Sequence, residues 1–118
     1  MATKTKHIWI ISKKYSALFK GIIEHYRDNA YLVIDGKKYL SKEFDHVINT
    51  WCTKKYIKNT IDFKVIRSGK EILGFHDTPD ETWAELTEEP FVKELVDAGL
   101  CKYRILPVKQ SWLKKILL

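Results

Sequence analysis

Three of the four histidines stand next to an acidic residue, a combination that could serve general acid–base catalysis or bind a metal ion. The pairs are Glu24-His25, Asp45-His46 and His76-Asp77. Adjacent side chains point about 100° apart on a helix and to opposite faces on a strand, so neither element brings such a pair into one site. Only Glu24, His25 and Asp28 have the spacing to share a helical face. Because metal and catalytic sites need converging groups in fixed geometry, we predict neither kind of site.

The two cysteines, Cys52 and Cys101, lie far apart in apolar-patterned positions. A zinc module would show a close pair such as C-x-x-C, and a secreted disulfide scaffold would carry more cysteines. We predict two free thiols in a reducing compartment and therefore a cytoplasmic protein. The chain also has no G-x-S-x-G motif and no glycine-rich phosphate loop, so we predict no cofactor and no enzymatic activity.

A better candidate for function is the mixture of lysines and aromatic residues between positions 37 and 64. Lysines neutralise phosphates, and aromatic faces stack on unstacked bases. The alternative is a solvated, lysine-rich helix end with Trp51 in the core. The predicted nucleic-acid-binding residues are Lys37, Lys38, Tyr39, Lys54, Lys55, Tyr56, Lys58 and Lys64.

The net charge of +6 is distributed unevenly along the chain. Residues 1–70 carry 15 Lys/Arg against 6 Asp/Glu, residues 71–100 carry one Lys against 9 Asp/Glu, and residues 101–118 carry 5 Lys/Arg and no acid. One interpretation is a basic face presented to nucleic acid, with the acidic segment elsewhere. The other is that the acidic segment packs against basic faces and evens out the surface. Of the 21 basic residues 18 are lysine, a bias typical of AT-rich phage, plasmid or bacterial genomes.

Residues 109–118 form a basic, amphipathic C-terminal tail. Its apolar residues make two i, i+4 pairs, Trp112 with Ile116 and Leu113 with Leu117, and we predict that these residues bind a partner. Since so short a helix is unstable alone, the tail must dock on another surface. The candidate surfaces are its own domain, a second copy in a homodimer, a groove on another protein, or a membrane surface.

The elements that position these residues follow from hydrophobic periodicity. An apolar strand at Ile8–Ile11 precedes a helix over Tyr15–Tyr26, whose apolar residues recur at i, i+3, i+4, i+7, i+8 and i+11. Ser12 is its candidate N-cap, and Gly21 suggests close packing. The competing interpretation is a strand through Phe19–Ile23, which would make the N-terminal half a small SH3-like barrel.

Two hairpins are predicted further along the chain. Asp35-Gly36 lies between apolar runs and suits the two positive-φ positions of a type I′ turn. The second hairpin, over 61–75, turns at Ser68-Gly69-Lys70. A final strand is predicted over Cys101–Val108.

Helices are predicted after each hairpin. The first has an apolar stripe over Phe44–Cys52, with lysines at its C-terminal end, where cations suit the helix dipole. The second is an acidic region over 77–97, in which Thr78 caps, Pro79 occupies the first helical position and Pro90 divides the region. Gly99 is expected to end it in the left-handed conformation.

Taken together, the 118 residues, 45% hydrophobic and 13% aromatic, predict one compact α+β domain over positions 1–118. We expect a mainly antiparallel sheet built from two hairpins plus N- and C-terminal strands, packed by about three helices. No stretch approaches the ~20 apolar residues of a membrane span, so we predict none. The predicted function is a small binding or regulatory protein for nucleic acid. The alternative is a protein-binding accessory factor or inhibitor of phage or mobile-element type, which would use the acidic 77–97 helix or the hydrophobic tail.

Overall fold

The computed structural model describes residues 6–107 as seven strands and four α-helices. The strands are β1 (Lys6–Ile11), β2 (Tyr31–Ile34), β3 (Lys37–Tyr39), β4 (Asp62–Arg67), β5 (Lys70–His76), β6 (Thr82–Ala84) and β7 (Lys102–Pro107). The α-helices are α1 (Tyr15–His25), α2 (Phe44–Trp51), α3 (Lys54–Lys58) and α4 (Glu89–Asp97), and short 3₁₀ helices cover Ser41–Glu43, Pro79–Glu81 and Leu86–Glu88. The predicted α+β class is confirmed, with four α-helices instead of about three. The predicted tail, 109–118, lies outside the described residues.

All seven strands form one antiparallel sheet in the order β3-β2-β4-β5-β6-β1-β7. The helices pack on one side, which we call the helix face, and the other side is the opposite face. Side chains of directly paired residues share a face. One row of paired residues therefore crosses the opposite face from edge to edge: Lys38, Val33, Lys64, Gly74, Trp83, Trp9 and Arg104.

The core lies between the helix face and α1. Phe19 of α1 is fully buried, and its ring meets Phe63 and Phe75 of the sheet edge-on at centroid distances of 5.2 and 5.7 Å. The amphipathic helix predicted from this stripe is confirmed, and the SH3-like alternative is wrong. A Cβ on Gly21 would lie 3.4 Å from Leu95, an ordinary van der Waals distance, so α1 passes near α4 at this point but the packing does not require a glycine. Ser12 is not the N-cap of α1, because that position is occupied by Lys14. The Ser12 hydroxyl accepts a hydrogen bond from the Lys14 amide at 2.9 Å and donates to the Leu100 carbonyl oxygen at 2.6 Å.

Both hairpins are present, and both turn through two residues with positive φ. Asp35 and Gly36 have φ of 48° and 84°, as a type I′ turn requires. The second turn consists of Ser68 and Gly69 alone, with φ of 54° and 75°, because Lys70 already belongs to β5. The predicted three-residue turn is therefore one residue too long.

The lysines predicted at the end of the second helix belong to a helix of their own. The chain leaves the helical conformation at Cys52 and becomes extended at Thr53, whose φ and ψ are −125° and 150°. The Thr53 hydroxyl then accepts a hydrogen bond from the Tyr56 amide and caps α3. An extended, β-branched cap residue thus interrupts a run that hydrophobic periodicity alone would continue.

The acidic 77–97 segment is only partly helical: the helix predicted before Pro90 is wrong, and the helical piece predicted after the division is confirmed as α4. Thr78 does cap, but only the 3₁₀ helix Pro79–Glu81, after which the chain enters β6. β6 fills the position between β5 and β1, where Trp83 and Ala84 are buried. Tertiary pairing therefore overrides the local helix signal. α4 occupies only the last part of the segment, and Gly99 follows it at φ 75°, as predicted.

A buried carboxylate ties the acidic segment to the sheet. Glu88 is 4% exposed, and its two oxygens accept hydrogen bonds from the Arg67 guanidinium at 3.1 and 2.7 Å. The Tyr26 hydroxyl donates to the same carboxylate at 2.7 Å, and the Thr87 hydroxyl donates at 2.8 Å. Burial opposes ionisation of Glu88, but these hydrogen bonds outweigh it and hold its pKa below the ordinary value.

Within residues 6–107, no helix is both long enough and apolar enough to cross a membrane.

Candidate nucleic-acid interface

An open groove of about 460 Å³ lies at the β3 end of the sheet, between the first hairpin and the two middle helices. The hairpin forms one wall, and residues from α2, α3 and the segment after α3 form the other. Its lining residues are Ile34, Asp35, Lys37, Tyr39, Trp51, Tyr56, Asn59 and Thr60.

The hairpin wall is held by the side chain of its turn residue. The Asp35 carboxylate accepts hydrogen bonds from the backbone amides of Ile61 and Asp62, both at 3.0 Å. The Asp35 amide donates to the Asp62 carbonyl oxygen at 2.8 Å. These three bonds fix the turn against the start of β4, so the groove does not depend on a loose loop.

Trp51 forms the aromatic back of the groove. Its indole nitrogen donates to the Thr60 hydroxyl at 2.8 Å, and that hydroxyl donates to the Tyr56 carbonyl oxygen at 2.9 Å. Its ring stacks on Phe63 at a centroid distance of 5.1 Å with the planes 6° apart. The alternative position predicted for Trp51, the core, is partly right, because the half-buried ring joins the core and also lines the groove.

The short helix α3 presents an aromatic side chain to solvent beside this groove. Ile57 is fully buried and anchors α3 to the core, while Tyr56 is 56% exposed. Large aromatic side chains that remain exposed on a fixed backbone offer stacking surfaces for bases. Lys54, Lys55 and Lys58 project from the same helix, and all three are exposed.

The predicted lysines of the hairpin and β4 divide between the two faces of the sheet. Lys37 lies on the groove side, with its ammonium 5.2 Å from the centre of the Tyr39 ring. Lys38 lies on the opposite face, 4.3 Å from the centre of the Tyr31 ring. Lys64 shares that face, two strands away, and its ammonium is 3.4 Å from the Asp62 carboxylate.

The fold thus brings six of the eight predicted residues to the groove or to the helix beside it, and places Lys38 and Lys64 behind them. Sequence patterns missed Asp35, Asn59 and Thr60 as groove residues. The Asp-Gly turn signal could have indicated the first of these. Within the described range 6–107, Lys37, Lys38, Lys54, Lys55 and Lys58 form no ion pair, so their charges are available to an external anion.

The histidines and acids of these sequence pairs contact residues from other elements. His25 stacks on Phe91 at a centroid distance of 3.7 Å, and Asp45 forms an ion pair with Arg27 at 2.7 Å. His76 approaches Glu71 at 2.8 Å and Asp62 at 3.2 Å on the opposite face of the sheet. The Glu71 carboxylate beside the imidazole raises the pKa of His76 despite partial burial.

Neither metal ligands nor an activated thiol are assembled in the described part of the chain. Across residues 6–107 no group of three or more His, Cys, Asp or Glu side chains is arranged to hold a metal ion. Cys52 and Cys101 are free, and burial raises the pKa of Cys52 to about 12 and that of Cys101 to about 11. Both therefore stay protonated at neutral pH.

Comparison of the chain with protein-family models, curated proteins and solved structures gives no match.

Proposed function

We propose that this protein is a non-enzymatic, cytoplasmic binding protein that holds single-stranded nucleic acid along the groove between β3 and α3. The observation that carries the proposal is that Tyr39 and Tyr56, from separate elements, line one groove beside lysines with no acidic partner among the described residues. A base stacks on the exposed Tyr56 ring, and the adjacent phosphates contact the lysines of α3 and the hairpin.

The geometry favours an unpaired strand over a duplex. One wall of the groove is a hairpin with a two-residue turn, whereas duplex recognition by direct readout uses a helix or ribbon long enough to follow the major groove. α3 has only five residues, and its exposed aromatic side chain suits an unstacked base.

The test is fluorescence anisotropy with labelled DNA and RNA oligonucleotides across a salt series. Each lysine that contacts phosphate contributes about 0.7 to 0.9 to the slope of log affinity against log salt. Replacing Lys54, Lys55 and Lys58 with Gln should therefore reduce the slope by roughly 2 and weaken binding to all sequences alike.

A matched control removes the same charge elsewhere. Lys6, Lys13 and Lys93 are also exposed and do not line the groove, so the triple Gln variant at these positions should retain the wild-type slope. An equal loss of slope and affinity in both triple variants would show that binding depends only on net charge, and would overturn the groove as the binding site.

The stacking component is tested at Tyr56. Tyr56→Ala should weaken binding about 10-fold or more, since stacking on one base contributes about 1–3 kcal/mol, whereas Tyr56→Phe keeps the ring and should bind like the wild type. Because the side chain is largely exposed, neither substitution should unfold the domain.

The alternative proposal is a protein-binding accessory factor or inhibitor. The acidic 77–97 segment offers such a partner less charge than the sequence suggests, because two of its acids are paired internally. Glu85 forms an ion pair with Lys70 at 3.0 Å, and Glu88 is buried against Arg67. Its other candidate surface, the tail residues Trp112, Leu113, Ile116 and Leu117, lies outside the described residues. Absence of oligonucleotide binding at low salt would put this alternative first.

A further inference from the structure

In residues 6–107, the sheet ends at the side far from the groove with the outer edge of β7. β7 pairs with β1 along its whole length, from Lys6 opposite Pro107 to Ile11 opposite Lys102. Among residues 6–107, no strand pairs with the other side of β7. Such an edge presents a row of backbone N–H and C=O groups that can bind an added strand.

Over residues 102–105 the side chains of β7 alternate in chemistry between the two faces, and the exposed Leu106 lies on the face of Lys102 and Arg104. Tyr103 and Ile105 lie on the helix face, because they pair with the core residues Ile10 and Ile8, and Ile105 is 41% exposed. The opposite face of the same strand carries two exposed cations, Lys102 and Arg104. An added strand would therefore meet apolar surface on one face and positive charge on the other.

A cleft of about 510 Å³ lies at the Lys102 end of β7. Its apolar lining includes Ile11, which is 51% exposed, together with Val96, Leu100 and Cys101. Lysines also line it: Lys14 donates to the Gly99 carbonyl oxygen at 3.0 Å, while Lys13 and Lys102 form no ion pair within residues 6–107.

We propose that the β7 edge and this cleft form a docking site for an extended peptide segment in which apolar and acidic residues alternate. The segment adds as an eighth antiparallel strand, in keeping with every other pairing in the sheet. Its apolar residues cover Tyr103 and Ile105, and its acidic residues face Lys102 and Arg104. Antiparallel pairing brings its carboxyl-terminal end to the cleft, where an apolar side chain enters beside Lys13.

A second copy of this chain fits the edge less well than an acidic peptide. Pairing β7 with β7 of another copy would bring Lys102 and Arg104 of both copies to one seam, and like charges across a strand pair are destabilising. The site is separate from the groove, since β3 and β7 are the two opposite edges of the sheet.

The probe is a fluorescein-labelled synthetic peptide of alternating valine and glutamate that ends in leucine with a free carboxylate. Three comparison peptides replace glutamate with lysine, the final leucine with serine, or alternate residues with proline, which cannot donate to a strand ladder. The site predicts that the first peptide binds most tightly and that, on its addition, the perturbed amide NMR signals of the protein concentrate on residues 102–106.

Two charge-reversed variants locate the binding. Lys102→Glu with Arg104→Glu should weaken binding of the glutamate peptide about 10-fold and improve binding of the lysine peptide, because both reversals lie on one face of β7. The matched control, Lys54→Glu with Lys55→Glu, makes the same charge change at the groove and should leave peptide binding unaltered.

Oligonucleotide binding should be weakened by Lys54→Glu with Lys55→Glu and unaltered by Lys102→Glu with Arg104→Glu. Failure of the peptide site and failure of the nucleic-acid proposal are therefore distinguishable. Equal binding of the glutamate and lysine peptides, no binding of either, or perturbations centred outside β7 and the cleft would each overturn the docking site. Sedimentation showing a dimer that Lys102→Glu with Arg104→Glu alters would overturn it in favour of a second copy.

Discussion

Glu88→Gln is the substitution that most directly tests how the acidic segment is held. The change preserves side-chain volume but removes the negative charge and turns one acceptor oxygen into an amide donor. That donor then faces hydroxyl or guanidinium groups that themselves donate: Arg67, Tyr26 and Thr87. Glu88 is 4% exposed, so water cannot readily replace the lost contacts.

The magnitude follows from the burial of the pair. Removing one partner of a buried ion pair costs about 3–5 kcal/mol, and we expect about 3 kcal/mol because the Arg67 side chain is partly exposed and regains water. For 118 residues, an unfolding entropy of about 2.1 cal/mol/K per residue gives about 0.25 kcal/mol/K. The melting temperature should therefore fall by about 12 °C.

The assay is thermal and urea unfolding followed by circular dichroism, with Glu94→Gln as the matched control, since Glu94 lies exposed on α4, the helix that directly follows Glu88. The pH dependence adds a second readout. Because the folded-state pKa of Glu88 is lowered, its stabilising contribution is complete above about pH 4.5 and is lost as the pH falls through the folded-state pKa. A Glu88→Gln protein that melts within about 1 °C of the control would refute the role assigned to this carboxylate.

Further predictions concern the turn, the sheet and the titrating groups. Gly36→Val should destabilise the domain by about 1–2 kcal/mol, because φ is 84° at that position, and an unchanged melting temperature would contradict the type I′ turn. Gly74→Ala should cost about 3 kcal/mol or prevent folding, since an added Cβ would lie 2.1 Å from the Phe63 carbonyl oxygen; a stable variant would show that the strands can separate. The His76 imidazole should titrate above pH 6.5 by NMR and shift down in Glu71→Gln, and the stability it contributes should be complete below pH 6.5 and lost as the pH rises through its folded-state pKa. Elemental analysis should find no stoichiometric metal, and a chelator should leave the melting temperature unchanged.

The parts of the fold that could be predicted are those whose cause is local. Asp35-Gly36 and Gly99 indicate their backbone conformations because few residue types tolerate positive φ. The stripe of α1 is long enough that only a helix satisfies its spacing.

The parts that could not be predicted depend on partners distant in sequence. β6 is a strand because β5 and β1 leave a gap of one strand between them, and nothing within Thr82–Ala84 indicates this. The break between α2 and α3 depends on how Ile57 reaches the core.

In the candidate site, too, some features could be predicted from local sequence and others depend on partners distant in the chain. Lysine and tyrosine content indicates a class of ligand, but the face on which each side chain lies requires the strand register. Lys37 and Lys38 are neighbours in β3 and lie on opposite faces of the sheet, one at the groove and one beside Tyr31.

The position of β1 in the sheet has a kinetic consequence. Ile8 pairs with Ala84 on one side and with Ile105 on the other, so the first strand of the described chain finds its partners only among the last. β2 to β5 join through a short hairpin, a helical connection and a second hairpin, and can associate early, whereas β1 requires closure of a loop that spans most of the domain. During synthesis, Ile8 and Ile10 therefore find no strand partner until β6 and then β7 have left the ribosome, and until then the apolar face of β1 must be kept from aggregation by other means.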